Sequence, residues 1–148
     1  MFAESASVRV ACRVFAKQSD SGRLEIEILD HAGHRPVRIV FGEDGRMQAA
    51  DGTSRAEAGL YRPGTWYRVE IAVNATERKY DVSLDGKMVV RQAVFAEPAT
   101  SLERLSFRTG EFRTEPTRQT DRYAGADLPG ADDPIKPAIY YVDDVIIR

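Results

Sequence analysis

The sequence has little cysteine, no long hydrophobic run and no excess of charge of one sign. Its single cysteine, Cys12, cannot form an internal disulfide, which excludes a disulfide framework and a cysteine-based zinc site. No apolar run approaches the ~18 residues of a membrane-spanning helix, and residues 1–4 lack the charged start of a signal peptide. The 148 residues carry 21 basic and 23 acidic side chains with both signs mixed. We therefore expect neither nucleic acid nor membrane as a partner.

Helical periodicity is also scarce, and apolar and polar residues alternate along most of the chain. Near the start, Val8, Val10 and Val14 point to one side of an extended segment and Arg9 to the other. The best helical candidate, residues 56–61, is interrupted by a glycine. The alternation predicts about nine or ten short strands and an all-β, two-sheet antiparallel sandwich. The stretches concerned are 7–16, 23–29, 37–41, 46–50, 65–73, 80–84, 87–95, 102–108 and 138–147.

Turn residues indicate how some of these strands connect. Asp85 and Gly86 separate two alternating stretches, which predicts a hairpin over residues 80–95 with a two-residue turn. Residues 110–137 hold four prolines and few large apolar side chains, so we expect a long loop there. Such a loop is either an ordered flap over a site or an inert insertion. We expect one domain over residues 1–148, because this length suits a single core.

Three segments resemble a known fold family. PGTWYRVEI (63–71), YDVSLDG (80–86) and YYVDDV (140–145) resemble the concanavalin A-like jelly roll. More narrowly, they are similar to laminin G-like accessory modules of polysaccharide-degrading enzymes, and the likeness covers roughly residues 22–148. It implies two packed antiparallel sheets, one concave, with sugar bound on the concave face or at its rim. It also implies a secreted or periplasmic setting within a larger protein.

This fold serves lectins, hydrolases, lyases and spacers, so the resemblance leaves three functions open. The favoured prediction is a non-catalytic carbohydrate-binding or accessory module whose partner is an oligosaccharide or polysaccharide. The alternatives are a structural or protein-interaction sandwich without sugar affinity, and a glycan-active enzyme. Sugar binding needs flat aromatic side chains that stack on pyranose rings, with polar groups nearby that bond hydroxyls. The candidate residues for such a site are Trp66, Arg68, Glu70, Tyr61, Tyr123, Glu25 and Glu27.

The resemblance makes Glu25, Glu27 and Asp30 candidates for hydrolysis. Glycoside hydrolases on this fold carry a Glu-x-Asp-x-x-Glu strand, and these residues have the same spacing with the second and third types exchanged. Retaining hydrolysis needs two carboxyl groups about 5–5.5 Å apart, and a shorter aspartate displaces one of them. The competing interpretation is two solvated glutamates opposite a core row, and we predict no catalytic residues.

A lyase is the second enzymatic alternative that the resemblance suggests. Lyases on this fold use an arginine-rich strand, a Gln-x-His element and a tyrosine near the C-terminus. Arg104 and Arg108 share one face of a strand and can bond uronate carboxylates, and Tyr140 or Tyr141 is available as a base. The Gln-x-His element is absent from this sequence.

Two sequence features suggest metal ligands. His31 and His34 lie together in a glycine-containing segment, and we interpret them as polar turn residues. Asp143 occupies the place where related jelly rolls carry a ligand of a structural Ca²⁺, and Asp132 or Asp133 can complete the oxygen shell. Two adjacent acids in an apolar strand also require either an inward carboxylate or a β-bulge.

Overall fold

The computed structural model describes residues 1–109 and 137–148, and within these residues ten strands form two antiparallel sheets. The strands are β1 (Ser7–Ala16), β2 (Leu24–Leu29), β3 (Val37–Phe41), β4 (Arg46–Asp51), β5 (Ser54–Leu60), β6 (Trp66–Asn74), β7 (Lys79–Leu84), β8 (Lys87–Val94), β9 (Arg104–Thr109) and β10 (Tyr140–Ile147). One sheet, here called the β1 sheet, has the order β10-β1-β6-β7-β8. The other, the β2 sheet, has the order β5-β4-β3-β2-β9. The predicted all-β jelly-roll sandwich, concanavalin A-like in its two antiparallel layers, is confirmed.

The core lies between the two sheets and is built from the alternating apolar rows. Val10 and Val14 of β1 are buried, as are Ile26 of β2, Ile39 of β3 and Ile71 of β6. Residues between them on each strand face solvent or the outer surface of their sheet, as a two-layer sandwich requires. Cys12 is also part of this core, and its burial raises the pKa of its thiol to about 11.

The predicted hairpin over residues 80–95 is confirmed. β7 pairs with β8 and the connection is Asp85-Gly86. Both residues have positive φ, 49° and 83°, which is the conformation of a two-residue type I′ turn. The Asp85 side chain accepts a hydrogen bond from the Arg68 amide at 2.8 Å, which ties this turn to β6.

The two acids of the last strand lie at a β-bulge. Opposite Arg13 stands Asp143, but opposite Ala11 stands Ile146, so β10 has one residue more than β1 between these pairs. Asp144 takes a φ of 50° at this irregularity. The bulge keeps both carboxylates exposed, which is the second of the two arrangements that the sequence allowed.

Residues 56–61, the best helical candidate, belong to β5 and the residue after it. The predicted loop at 110–137 lies outside the described residues except for Pro137. In residues 1–109 and 137–148 there is no helix with the length and hydropathy needed to cross a membrane.

One buried tyrosine links the sheets by a hydrogen bond. Tyr80 of the β1 sheet is 1% exposed, and its hydroxyl donates to the carbonyl of Ala50 in the β2 sheet. A buried carbonyl that loses its donor keeps its desolvation cost.

We therefore expect Tyr80→Phe to lower the free energy of unfolding by about 1–2 kcal/mol, because it leaves the Ala50 carbonyl without a donor. Chemical denaturation measures the change. Tyr141→Phe, at a ring 46% exposed, is the control and should leave stability unchanged. Equal effects of the two variants would contradict a specific role for the Tyr80 hydroxyl.

Candidate functional site

Three aromatic side chains form a row across the outer face of the β1 sheet. The register places Phe15 of β1 between Trp66 of β6 and Tyr141 of β10. The Phe15 ring centroid lies 5.2 Å from that of Trp66 and 5.8 Å from that of Tyr141. Trp66 is 38% exposed and Tyr141 46%. This aromatic row therefore presents ring surface to solvent on a rigid sheet.

A row of charged side chains runs beside the aromatic row. Arg68 of β6 is the register partner of Arg13, which is the partner of Asp143. The Arg13 guanidinium lies 4.8 Å from the Trp66 ring centroid, and Arg68 Nε donates to Glu70 Oε1 at 2.8 Å. Trp66, Arg68 and Glu70 thus share one outer face, as their alternation predicted. A groove of about 280 Å³ continues from Arg68 and Glu70; its other polar lining residues are Arg9, Asp81, Ser83 and Arg148.

The outer face of the β2 sheet carries a second and larger groove, of about 380 Å³. We call it the arginine groove, because Arg23, Arg38 and Arg55 line it while Glu25 is its one lining carboxylate among the described residues. Ala50 of β4 is the register partner of Arg55 of β5, and Arg38 is next to Ile39, where the pairing of β3 with β4 ends, so a small side chain lies in the groove with two long cationic ones. The remaining lining residues are Val40, Gln48, Ala49, Ala50, Gly52, Thr53, Ser54 and Ala96.

A buried charge cluster adjoins this groove on β2 and the edge strand β9 of the β2 sheet. Glu25 and Glu27 are each 2% exposed, so the interpretation as two solvated glutamates is wrong. Arg108 of β9 bonds to both carboxylates, with Nε 2.7 Å from Glu27 Oε1. Arg23 bonds to Glu25, and Arg35 lies 3.7 Å from Glu27 and 3.8 Å from Glu25. The carboxylates can be buried because cations from three segments surround them.

The two glutamates also bond to each other, and their pKa values move apart. Burial raises the pKa of Glu27, and the hydrogen bond with Glu25 adds to this against the opposing effect of Arg108. Burial acts on Glu25 in the same direction, but the hydrogen bond with Glu27 and the charges of Arg23 and Arg108 outweigh it, so its pKa is lowered. Glu25 is therefore the carboxyl that stays ionised as the pH falls.

The third acid of the hydrolase-like motif does not join this pair. Asp30 Oδ1 accepts the amides of Ala32 and His34 at 3.0 and 2.8 Å, and Oδ2 lies 2.7 Å from His34 Nδ1. These bonds lower the pKa of Asp30 against the effect of burial, and they raise the pKa of His34. Asp30 thus shapes the β2–β3 turn that contains both histidines.

The tyrosine candidates have different surroundings. Tyr61 is 4% exposed, with its ring against Phe41 and its hydroxyl bonded to the Gly42 carbonyl, so it presents no ring surface for stacking. As a candidate for stacking on sugar, Tyr61 is therefore wrong, because its ring packs against Phe41 of β3. Tyr123 lies outside the described residues.

For the lyase alternative, Arg104 and Arg108 lie on the outer face of β9 as predicted, but they have different partners. Arg108 is held by Glu25 and Glu27, whereas Arg104 bonds to the carbonyl of His31 at 3.2 Å. Tyr140 and Tyr141 stand on the β1 sheet, next to β1, and not beside β9. The pair of arginines and the tyrosines are therefore on different sheets.

Asp143, the predicted calcium ligand, is exposed and its Oδ1 accepts the Asp144 amide at 2.8 Å. Asp144 lies 3.5 Å from Arg13. No group of three or more histidine, cysteine, aspartate or glutamate residues suited to a metal occurs in the described part of the chain. Asp132 and Asp133 lie outside that part. A structural Ca²⁺ at Asp143 stays a prediction.

Several residues of these two faces were missing from the sequence-based candidates. The sequence-based candidates for sugar binding do not include Phe15 or Tyr141 beside Trp66. They also do not include the groove residues Arg23, Arg38 and Arg55. The alternation of Arg38 with Val37 and Ile39 was the available signal, since it places this arginine on an outer face. Strand pairing decides which outer residues become neighbours, and alternation along one strand does not reveal that pairing.

The two antiparallel layers place this chain in the class of jelly-roll sandwiches, and comparison with known proteins gives the family. The family described as "Sialidase-like, CBM domain" matches residues 1–124, and the chain belongs to it. A solved sialidase is 32% identical and matches 99% of this chain with a TM-score of 0.89, while the chain spans 13% of that sialidase.

More distant solved structures share the fold. A Trypanosoma rangeli sialidase is 12% identical, with a TM-score of 0.58 over 95% of this chain and 20% of that one. A family 18 polysaccharide lyase is 9% identical, with a TM-score of 0.59 over 97% of this chain and 72% of that one. No curated protein sequence matches significantly.

The charge cluster leads to a stability prediction. Arg108→Met leaves Glu25 and Glu27 with fewer cations, and we expect a loss of about 3 kcal/mol in the free energy of unfolding at pH 7. Because only ionised carboxylates carry this penalty, the loss should shrink as the pH falls toward 4. Denaturation at several pH values measures both effects.

Arg104→Met is the matched control, because it lies on the same strand with a side chain 45% exposed. We expect it to change stability little at any pH. A loss in Arg108→Met that did not depend on pH would contradict the electrostatic explanation.

Proposed function

We propose that this chain is a non-catalytic module that binds oligosaccharide on the outer face of the β1 sheet. The observation that carries the proposal is the aromatic row of Trp66, Phe15 and Tyr141 on a solvent-exposed face of a module from a carbohydrate-binding family. Aromatic rings cover the apolar C–H faces of sugars, and burying that surface stabilises the complex. The row crosses three strands, so it suits more than one sugar ring.

The charged side chains next to the row supply the hydrogen bonds that a sugar needs. Arg68 and Glu70 are paired and partly exposed, so they offer donors and acceptors to hydroxyl groups without a buried charge. Arg13, over one side of Trp66, is held by Asp144 and is positioned to bond a sugar that lies on the row. Rigid strands hold these groups in place, which lowers the entropy lost on binding.

The absence of catalysis is part of the proposal, and the state of the carboxylates supports it. Hydrolysis with retention requires one carboxyl as nucleophile and one as acid, both in contact with the sugar. Glu25 and Glu27 are 2% exposed and are engaged by Arg23, Arg35 and Arg108. These contacts favour a structural role for the pair.

The setting of the module is also proposed. Since the chain spans 13% of the sialidase it resembles, we infer that it serves as an accessory part of a larger, exported glycan-active protein. The narrower likeness to laminin G-like modules stays a prediction.

The single tryptophan makes the proposal directly measurable, because any change in tryptophan fluorescence reports on Trp66. We expect a saturable fluorescence change on titration with at least one uncharged oligosaccharide from a broad panel. Tyr141→Ala should weaken that binding about 10-fold, equivalent to about 1.4 kcal/mol, through the loss of stacking surface. No new reducing ends should appear on incubation.

Val94→Ala is the control, because Val94 is 46% exposed on β8, the strand at the opposite edge of the same sheet. It should bind as the unchanged protein does. A flat response across the panel would favour the structural or protein-interaction alternative. Product release that disappears in Glu25→Gln would instead establish an enzyme.

A further inference from the structure

We propose that the arginine groove of the β2 sheet is a second binding site, which takes the carboxylate of an acidic sugar between Arg38 and Arg55. This site is on the opposite face of the sandwich from the aromatic row, and it does not depend on the function proposed for that row. It follows from the register, the charges and the lining of the groove.

The groove has cationic groups that no described carboxylate neutralises. No ion pair within residues 1–109 and 137–148 involves Arg38 or Arg55. Glu25, the acidic lining residue, is already bonded to Arg23 and Arg108. Burial lowers the pKa of the Arg35 guanidinium, and the positive charge of Arg38 lowers it further, because like charges close together repel each other. An anion in the groove would relieve this repulsion.

The arginines also have unused hydrogen-bond donors. Within the described residues, the buried Nε atoms of Arg23 and Arg38 have no hydrogen-bond partner. A guanidinium donates two parallel hydrogen bonds to one carboxylate, which gives both affinity and a fixed orientation. Arg38, Ala50 and Arg55 all line the groove, and Ala50 is the register partner of Arg55, while the β3–β4 pairing ends at the neighbouring pair of Ile39 and Ala49. The small Ala50 side chain therefore leaves room in the groove for a carboxylate that both arginines can bond.

The rest of the lining suits a sugar better than a bare inorganic anion. Val40 and Ala96 provide apolar surface for C–H groups, while Thr53 and Ser54 provide hydroxyls at one end. The volume of about 380 Å³ lies within the range of about 300–1,000 Å³ typical of small-ligand pockets. A lone phosphate or sulfate would leave most of this surface uncovered.

Paired ligands that differ only in charge test the proposal. The first pair is trigalacturonate and its methyl ester, and the second is sialyllactose and lactose; calorimetry measures affinity and amide NMR locates the site. We expect the acidic member of at least one pair to bind and its uncharged partner not to bind there. The amide signals of Gly52 to Arg55 should shift, and affinity should fall as the salt concentration rises.

Variants separate the groove from the rest of the surface. Arg38→Gln and Arg55→Gln should each weaken acidic-sugar binding about 10- to 100-fold, as expected for a lost hydrogen bond to a charged group. Arg55 is exposed, so its variant keeps the test valid if Arg38→Gln is unstable. Arg46→Gln is the matched control, since Arg46 is on the same sheet, pairs with Asp44 and Glu57, and does not line the groove.

Four results would overturn the proposal. They are equal affinity for a charged ligand and its uncharged partner, no binding by either acidic ligand, unchanged affinity in both arginine variants, and equally tight binding of inorganic phosphate. Tyr141→Ala should leave acidic-sugar binding intact, which keeps this site distinguishable from the aromatic row. Failure of the groove would leave the titration of Trp66 with uncharged oligosaccharides as an independent result.

Discussion

The ion pairs between Glu25, Glu27 and Arg108 constrain the whole β2 sheet. β2 lies between β3 and the edge strand β9, and both of its faces are buried, one by the apolar core and one by charged side chains. Two buried carboxylates are stable here only because cations from neighbouring segments pair with them. These cations come from β9, from the β2–β3 turn and from the residue before β2, so the three segments must keep fixed positions relative to one another. The arginine groove is next to this cluster, and Arg23 belongs to both, while Arg38 and Arg55 give the groove further positive charge.

The sandwich divides its chemistry between two outer faces. The β1 sheet exposes aromatic rings with paired charges beside them, whereas the β2 sheet exposes arginines around a small-residue floor. Both faces depend on strands that are fixed from behind by one shared core, and Tyr80 joins the layers through the Ala50 carbonyl. Ala50 therefore serves two purposes, because its carbonyl secures the sheets while its small side chain leaves room in the groove.

Much of the architecture was readable from the sequence because alternation carries it. The rows of β1, β2 and β6 and the Asp85-Gly86 turn depend on neighbours along the chain, and these were predicted correctly. The environment of Glu25 was not, since its burial depends on Arg108, 83 residues away, and on the pairing of β2 with β9. For Trp66, alternation along the chain predicts which face of the sheet it lies on. Its ring neighbours Phe15 and Tyr141 can be identified only once the order of the strands is known. Tyr61 lies between strands, as a loop-like segment predicts, but its burial does not follow from the sequence because its packing partner Phe41 lies on another strand.

The bulge in β10 has a consequence for solubility. β10 is the edge strand of its sheet, and Val145, Ile146 and Ile147 leave apolar surface exposed there. A straight edge of this composition would offer a template to which another polypeptide strand can add. The irregular backbone at Asp144 interrupts the spacing of amide and carbonyl groups, and two adjacent negative charges repel an incoming chain. A bulge and charged side chains at a sheet edge both oppose the addition of a further strand there.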